Sequence, residues 1–173
     1  GGGRGRWERM SPGRSARVLG TTVKTLPGLG RVTDNRDTSP DAQDPETTAT
    51  DVSLQPCSAA IKANTTAVMI SSARYPQLDP DNVAAFSSKI ITGLLRERLG
   101  FNGLVISDAL GAAVAVSDVG FGARAVDFIK AGGHLVLTVT PTDLPAVPAA
   151  LAGEAARSAG CRSRGGAGAL PGP

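Results

Sequence analysis

Aromatic residues, cysteine and histidine are all scarce in this 173-residue sequence, in which Phe, Tyr and Trp together make up 3%. Two cysteines cannot form a disulfide framework, and together with a single histidine they offer no metal-ligand cluster of the usual spacing. No apolar run is long enough to span a membrane. The composition therefore predicts a globular domain without a metal site, whose core is built from Ala, Val, Leu and Ile.

Positive charge is lacking where a nucleic-acid-binding surface would need it. The formal net charge is +3, but residues 1–20 carry +4 and residues 154–173 carry +2, which leaves the middle of the chain mildly acidic at −3. The ends are rich in Gly and Arg and show no hydrophobic periodicity, as is typical of solvated tails. We predict tails over residues 1–20 and 153–173, a folded domain over residues 21–152, and no nucleic-acid partner. The sequence indicates no cellular location.

Short apolar runs alternate with amphipathic segments along the middle of the chain. This pattern predicts strands at 20–25, 67–71, 104–107 and 134–139, and helices at 56–63, 88–99, 122–131 and 143–151. Strands that are apolar throughout and separated by helices are typical of a parallel sheet in an α/β fold. Four such units fit either half of a (β/α)8 barrel or a complete, doubly wound open sheet. The pattern alone does not choose between the two.

Asp108 stands where parallel α/β folds place their functional groups, directly after the apolar run 104–107. Active-site residues of such folds lie just beyond the carboxyl ends of the strands. A carboxylate at this position is either a helix cap or connector, or a working group held on a rigid element.

Several segments resemble family 3 glycoside hydrolases, in the branch of bacterial β-N-acetylhexosaminidases. The segment LRERLGFNGLVISDAL (95–110) is similar to the signature in which a helix and Leu-Gly-Phe-x-Gly precede the strand that presents the nucleophilic Asp. The segments VMISSARYPQLDPDN (68–82) and FIKAGGHLVLTV (128–139) resemble the preceding strand and loop and the following helix and strand. The resemblance spans about residues 21–151. It implies the C-terminal half of a TIM-type (β/α)8 barrel, with Asp108 as the catalytic nucleophile.

The segment VKTLPGLGRVTDNRDTS (23–39) resembles the Lys-His-Phe-Pro-Gly segment and mobile loop of the same family. Lys24 matches the substrate-binding lysine, whereas Thr25 stands in place of the histidine beside it. The Asp-His pair that serves this branch as acid/base has no counterpart, because the loop lacks histidine. Asp34 and Asp37 are the possible stand-ins. His134, the single histidine, lies in a predicted strand, where a core or rim role is the expectation.

The resemblance implies retaining hydrolysis of β-linked N-acetylglucosamine- or glucose-type sugars, without a metal or cofactor. Two alternatives stay open. A truncated or degenerate family member would keep the fold and lack activity. A doubly wound regulatory domain would instead accept a phosphoryl group on Asp108, although the usual acidic partners near the first strand are missing. The segment PGLG (27–30) has neither Walker nor GxGxxG spacing, so we interpret it as a turn.

Overall fold

The computed structural model describes residues 20–34, 39 and 41–157 of the chain. Its centre is a four-stranded, all-parallel sheet formed by β1 (Thr22–Leu26), β2 (Ala67–Ile70), β5 (Leu104–Ala109) and β6 (Leu135–Leu137). A separate antiparallel pair, β3 (Arg74–Tyr75) and β4 (Asp79–Val83), lies between β2 and β5 in the chain. The predicted parallel arrangement of the four apolar runs is confirmed.

The spatial order of the four strands, β1-β2-β5-β6, is the same as their order along the chain. Right-handed crossovers, which are the rule for parallel strands, then place every connecting helix on the same face of the sheet. A doubly wound sheet reverses its strand order so that helices cover both faces. The observed order is therefore that of a (β/α)8 barrel, and within the described residues the sheet stays open between β1 and β6.

Four helices accompany the sheet: α1 (Gln55–Lys62), α2 (Lys89–Arg98), α3 (Phe121–Lys130) and α4 (Ala146–Arg157). Pro56 lies in the first turn of α1, where its missing N–H costs nothing. Beyond α2, Gly100 adopts a positive φ of 71°, which a residue with a Cβ adopts rarely. Helix α2 is wound with hydrogen bonds to the fifth preceding residue, as in a π-helix; Leu99 N donates to Leu94 O at 2.9 Å.

The two faces of the sheet differ in burial. Val23, Val68 and Val105 are register partners in a row across three strands, and all three are buried in the core cluster. The next row consists of Lys24, Met69, Ile106 and Leu135, and register partners share a face of the sheet. Because side chains alternate along a strand, this row lies on the opposite face. Lys24 is exposed and Leu135 is 52% exposed at the open edge.

Several elements differ from the prediction. The hairpin β3–β4 forms within a segment that we predicted as a loop; its residues 79–82 are polar and show no alternating apolar pattern. Strand β6 covers three residues instead of six. Helix α4 begins later and ends later than the predicted 143–151. Residues 1–19 and 158–173 lie outside the described residues, so the predicted tails stay predictions.

Candidate active site

Asp108 lies at the carboxyl end of β5, as predicted. It is the penultimate residue of the strand and is 9% exposed. Its Oδ1 atom accepts a hydrogen bond from the backbone N–H of Ala109 at 2.8 Å. All four strands of the parallel sheet point the same way, so the loops that follow β1, β2 and β6 gather at the same rim as Asp108.

A β-bulge shapes the backbone around Asp108. Ile106 pairs with Leu135 and Ala109 pairs with Leu137, so three residue steps on β5 face two on β6. The hydroxyl of Ser107 fills the interruption, because its Oγ accepts from Leu137 N at 2.8 Å and donates to Asp108 O at 2.7 Å. Bulges often re-aim a side chain next to an active site. The sequence signal was a single hydroxyl in an otherwise apolar strand, and our sequence analysis assigned it no role.

Arg124 holds the segment that follows Asp108. It lies on α3, is 7% exposed, and donates to Leu110 O and Val119 O, both at 2.5 Å. These carbonyls lie near the two ends of the segment between Asp108 and α3, so one guanidinium ties both ends together. Sequence analysis missed this role as well. The available signal was an arginine three or four residues from Phe121 and Phe128, on the apolar stripe of the helix.

Lys24 and Thr25 lie on β1, two strand positions away from β5. Lys24 is exposed and Thr25 is half-buried, and both line a cavity of about 380 Å³ between the end of β1 and the start of α1. Through the sheet register, Lys24 is level with Ile106, two residues before Asp108. Strand spacings of about 4.8 Å and a rise of about 3.3 Å per residue place the two backbones about 12 Å apart. A lysine side chain and one sugar ring can bridge that gap.

The long segment after β1 is tied to the body of the domain by polar contacts. Arg31 Nη1 donates to Asp51 Oδ2 at 2.7 Å. The backbone N–H of Ser53 and the Arg31 guanidinium lower the pKa of Asp51 to about 2. Asp44 is buried and accepts from the backbone N–H and the hydroxyl of Thr47. Both carboxyl groups, those of Asp51 and Asp44, make structural contacts, so neither is a candidate acid at the rim.

The two predicted stand-ins for the acid/base have different outcomes. Asp34 is exposed in the segment that follows β1. Asp37 lies outside the described residues. Their assignment therefore stays a prediction.

His134 belongs to the opposite end of the sheet from Asp108. The ring Nδ1 of His134 accepts from the backbone N–H of Val105 at 3.1 Å, and the backbone N–H of His134 donates to Val105 O at 2.9 Å. Arg96 also contacts Nδ1 at 3.1 Å and donates to the carbonyls of Phe101 and Gly103. Val105 precedes Asp108 by three residues, about 10 Å along a strand. His134 is exposed, so of the expected core or rim roles only the rim role fits this position, and a proton relay to Asp108 does not fit it.

Metal-ligand clusters and membrane-spanning helices are both absent from the part of the chain that the structure describes. No group of three or more His, Cys, Asp or Glu side chains is placed to hold a metal ion in residues 20–34, 39 and 41–157. In the same part of the chain, no helix has both the length and the apolar character needed to cross a membrane.

Comparisons with known proteins agree with the parallel α/β fold of the chain. The model of the glycosyl hydrolase family 3 N terminal domain matches residues 9–156. Beta-hexosaminidases of Xanthomonas campestris and Stenotrophomonas maltophilia are 38% and 39% identical over 128 and 127 residues, which is 71% of this chain and 37% of each relative. The crystal structure of a beta-N-acetylhexosaminidase from Beutenbergia cavernae matches with a TM-score of 0.86 at 38% identity, over 90% of this chain and 46% of that chain. The chain thus spans little more than a third of the curated relatives that it matches.

Proposed function

This chain belongs to glycosyl hydrolase family 3, and on that premise we propose that it supplies the nucleophile-bearing half of the barrel of a retaining β-N-acetylhexosaminidase. The observation that carries the proposal is Asp108, a largely buried carboxylate at the carboxyl end of a parallel strand, inside the segment that resembles the family signature. A glucose-type substrate is the alternative specificity.

The chemistry assigned to Asp108 is nucleophilic displacement at the anomeric carbon. A carboxylate oxygen forms a bond to that carbon as the glycosidic C–O bond breaks, and the bonding electron pair leaves with the aglycone oxygen. An acid delivers a proton to that oxygen. In the second step water attacks the glycosyl-enzyme, the same group accepts a proton from the water, and Asp108 is released as a carboxylate. None of these steps requires a metal or a cofactor.

Lys24 and Thr25 are assigned to substrate binding. The ammonium group of Lys24 is exposed at the cavity beside β1 and is free to turn toward a sugar hydroxyl, to which it would donate a charge-assisted hydrogen bond. The segment after β1 would cover the bound sugar, held in place by Arg31 and Asp51. Asp34 or Asp37, on that segment, is the candidate proton donor.

A second candidate function is a degenerate family member that keeps the fold without activity. The observation in its favour is that the only histidine, His134, lies among the backbone atoms at the amino ends of the strands and not in the acid/base segment. General acid catalysis contributes typically 10²- to 10⁴-fold to a rate. A chain without a donor should therefore cleave only substrates whose leaving groups need no protonation.

Trapping with a 2-fluoro glycoside bearing an activated leaving group tests the role of Asp108. We expect mass spectrometry of the digested protein to find the sugar on the peptide that contains Asp108, and no label on Asp108→Asn. The matched control is Asp118→Asn, because Asp118 is an exposed acid in the segment that follows. Label on Asp118 or on Asp79 would show that Asp108 is not the nucleophile that the resemblance implies.

Turnover of two substrates separates the active from the degenerate reading. We expect slow, Asp108-dependent release of nitrophenol from a nitrophenyl N-acetylglucosaminide and little or no cleavage of an unactivated chitobioside. Robust cleavage of the chitobioside would contradict a missing acid and would point to Asp34 or Asp37, to be tested as Asn variants. No turnover of either substrate by a chain that circular dichroism shows to be folded would favour the degenerate member.

A further inference from the structure

We propose that Ser107 is a positioning residue for Asp108, and that its hydroxyl sets the direction of the Asp108 carboxylate through the bulge between β5 and β6. The functional part of this inference rests on the proposed role of Asp108 as the nucleophile. The geometric part concerns only the hydrogen bonds of the described residues.

The bulge interrupts the hydrogen bonds between β5 and β6, and the Ser107 hydroxyl pairs with backbone groups on both strands. An extra residue on β5 interrupts the ladder with β6, which leaves backbone groups without their usual partners. Ser107 is 0% exposed, and its hydrogen bond with Leu137 N is partly shielded from water. Its Oγ accepts the N–H of Leu137 at 2.8 Å and donates to Asp108 O at 2.7 Å, which joins the two strands through one atom.

The orientation of the carboxylate depends on this join. Asp108 Oδ1 accepts the N–H of Ala109 at 2.8 Å, and both residues lie in the bulged stretch between Ile106 and Ala109. Without the hydroxyl, Leu137 N–H would lose this acceptor and Asp108 O would lose this donor. The backbone could then relax toward the regular ladder, and the carboxylate would turn away from its present direction. Alanine lacks the required group at position 107, whereas threonine retains it on a strand-compatible side chain.

Amide hydrogen exchange followed by NMR tests the geometry without any need for activity. In Ser107→Ala we expect exchange at both Leu137 and Ala109 to become about tenfold faster, as for the loss of one net hydrogen bond. The N–H of Leu104, at the start of the same strand β5, serves as the internal reference, because it donates to Thr66 O at 2.9 Å. Ser107→Thr should stay within about threefold of the wild type. Faster exchange at Leu137 alone would show that Ser107 only ties the strands, and would overturn the positioning role.

Ser117→Ala is the matched control variant, because Ser117 Oγ also donates to a backbone carbonyl, Val114 O at 2.8 Å, but at an exposed site. It should leave exchange at Leu137 and Ala109 unchanged. If Ser107→Ala does not fold, Ser107→Cys keeps the size of the side chain with a weaker donor and acceptor. It should then raise exchange at both amides by a smaller factor, and unchanged exchange would overturn the proposal.

The rate of covalent labelling of Asp108 by the 2-fluoro glycoside tests the functional part. In Ser107→Ala we expect the maximal labelling rate to fall about tenfold or more, with the half-saturating glycoside concentration nearly unchanged, and Ser107→Thr to restore it. An unchanged labelling rate would overturn the functional part. If the wild type is not labelled at Asp108, the proposed function fails, while the exchange experiment still decides whether Ser107 directs the carboxylate.

Discussion

Asp79 gives the sharpest test of how polar groups stabilise the half-barrel. The carboxyl group is 1% exposed and lies at the start of β4. It accepts hydrogen bonds from Ser87 Oγ at 2.6 Å, Asn82 Nδ2 at 3.1 Å, Asp81 N at 3.2 Å and Lys89 Nζ at 3.2 Å. Burial raises the pKa of Asp79, but these donors outweigh it and lower the pKa to about 2.

The stabilisation can be estimated from that pKa. The ordinary value is 3.8, and each pKa unit corresponds to about 1.4 kcal/mol, so the ionised carboxylate adds about 2 kcal/mol to the free energy of unfolding at pH 7. Because the folded pKa lies below the unfolded one, this contribution is complete above about pH 5. It is lost as the pH falls from about 4 to about 2, and roughly half of it remains at pH 3.

The assay is urea denaturation at pH 7, 5 and 3 for the wild type, Asp79→Asn and Asp81→Asn. Asparagine has the shape of the neutral carboxyl group, so Asp79→Asn should cost about 2 kcal/mol at pH 7 and about half as much at pH 3. The side chain of Asp81 is exposed and pairs with Lys89, which also contacts Asp79, while the backbone N–H of Asp81 is kept in the variant. Asp81→Asn should therefore stay within about 0.5 kcal/mol of the wild type. A difference between wild type and Asp79→Asn that does not change with pH would refute the reasoning.

Two further predictions concern the backbone at the amino end of the sheet and around α2. His134→Ala leaves the N–H of Val105 without its acceptor and should lower the free energy of unfolding by about 1–3 kcal/mol in urea denaturation. His134→Asn offers an acceptor at a similar position and should recover part of the loss. Equal losses in the two variants would contradict this role of His134. Gly103→Ala should destabilise the domain, since its Cβ would lie 2.5 Å from Thr66 O. Gly93→Ala is the matched control, because no atom lies within 4 Å of the position that a Cβ would take there. The higher helix propensity of alanine should raise the midpoint of thermal unfolding slightly. A lower midpoint would contradict the open environment of Gly93.

Local sequence was sufficient for the elements that carry strong periodic signals. The apolar face of 88–99, closed by Gly100, predicted α2, and the apolar run before Asp108 predicted β5 with the carboxylate at its end. The helix depends on contacts within a few residues of the chain, and the burial of β5 between two neighbouring strands is recorded in its continuous apolar run. The motif around Asp108 also indicated the family before any geometry was known.

Tertiary structure alone decided the rest. The periodic pattern left a half-barrel and a doubly wound sheet open, and the family resemblance implied the half-barrel. Strand order, a relation between segments about 30 to 45 residues apart that no local pattern encodes, comes from the tertiary structure. The roles of Ser107, Arg124 and Asp79 likewise depend on partners from other strands, turns and helices. His134 appears in a strand-like run whichever end of the sheet it occupies, and only its contact with Val105 places it away from Asp108. A sequence pattern shows which side chains are available, whereas the packing of distant segments determines which backbone groups need them.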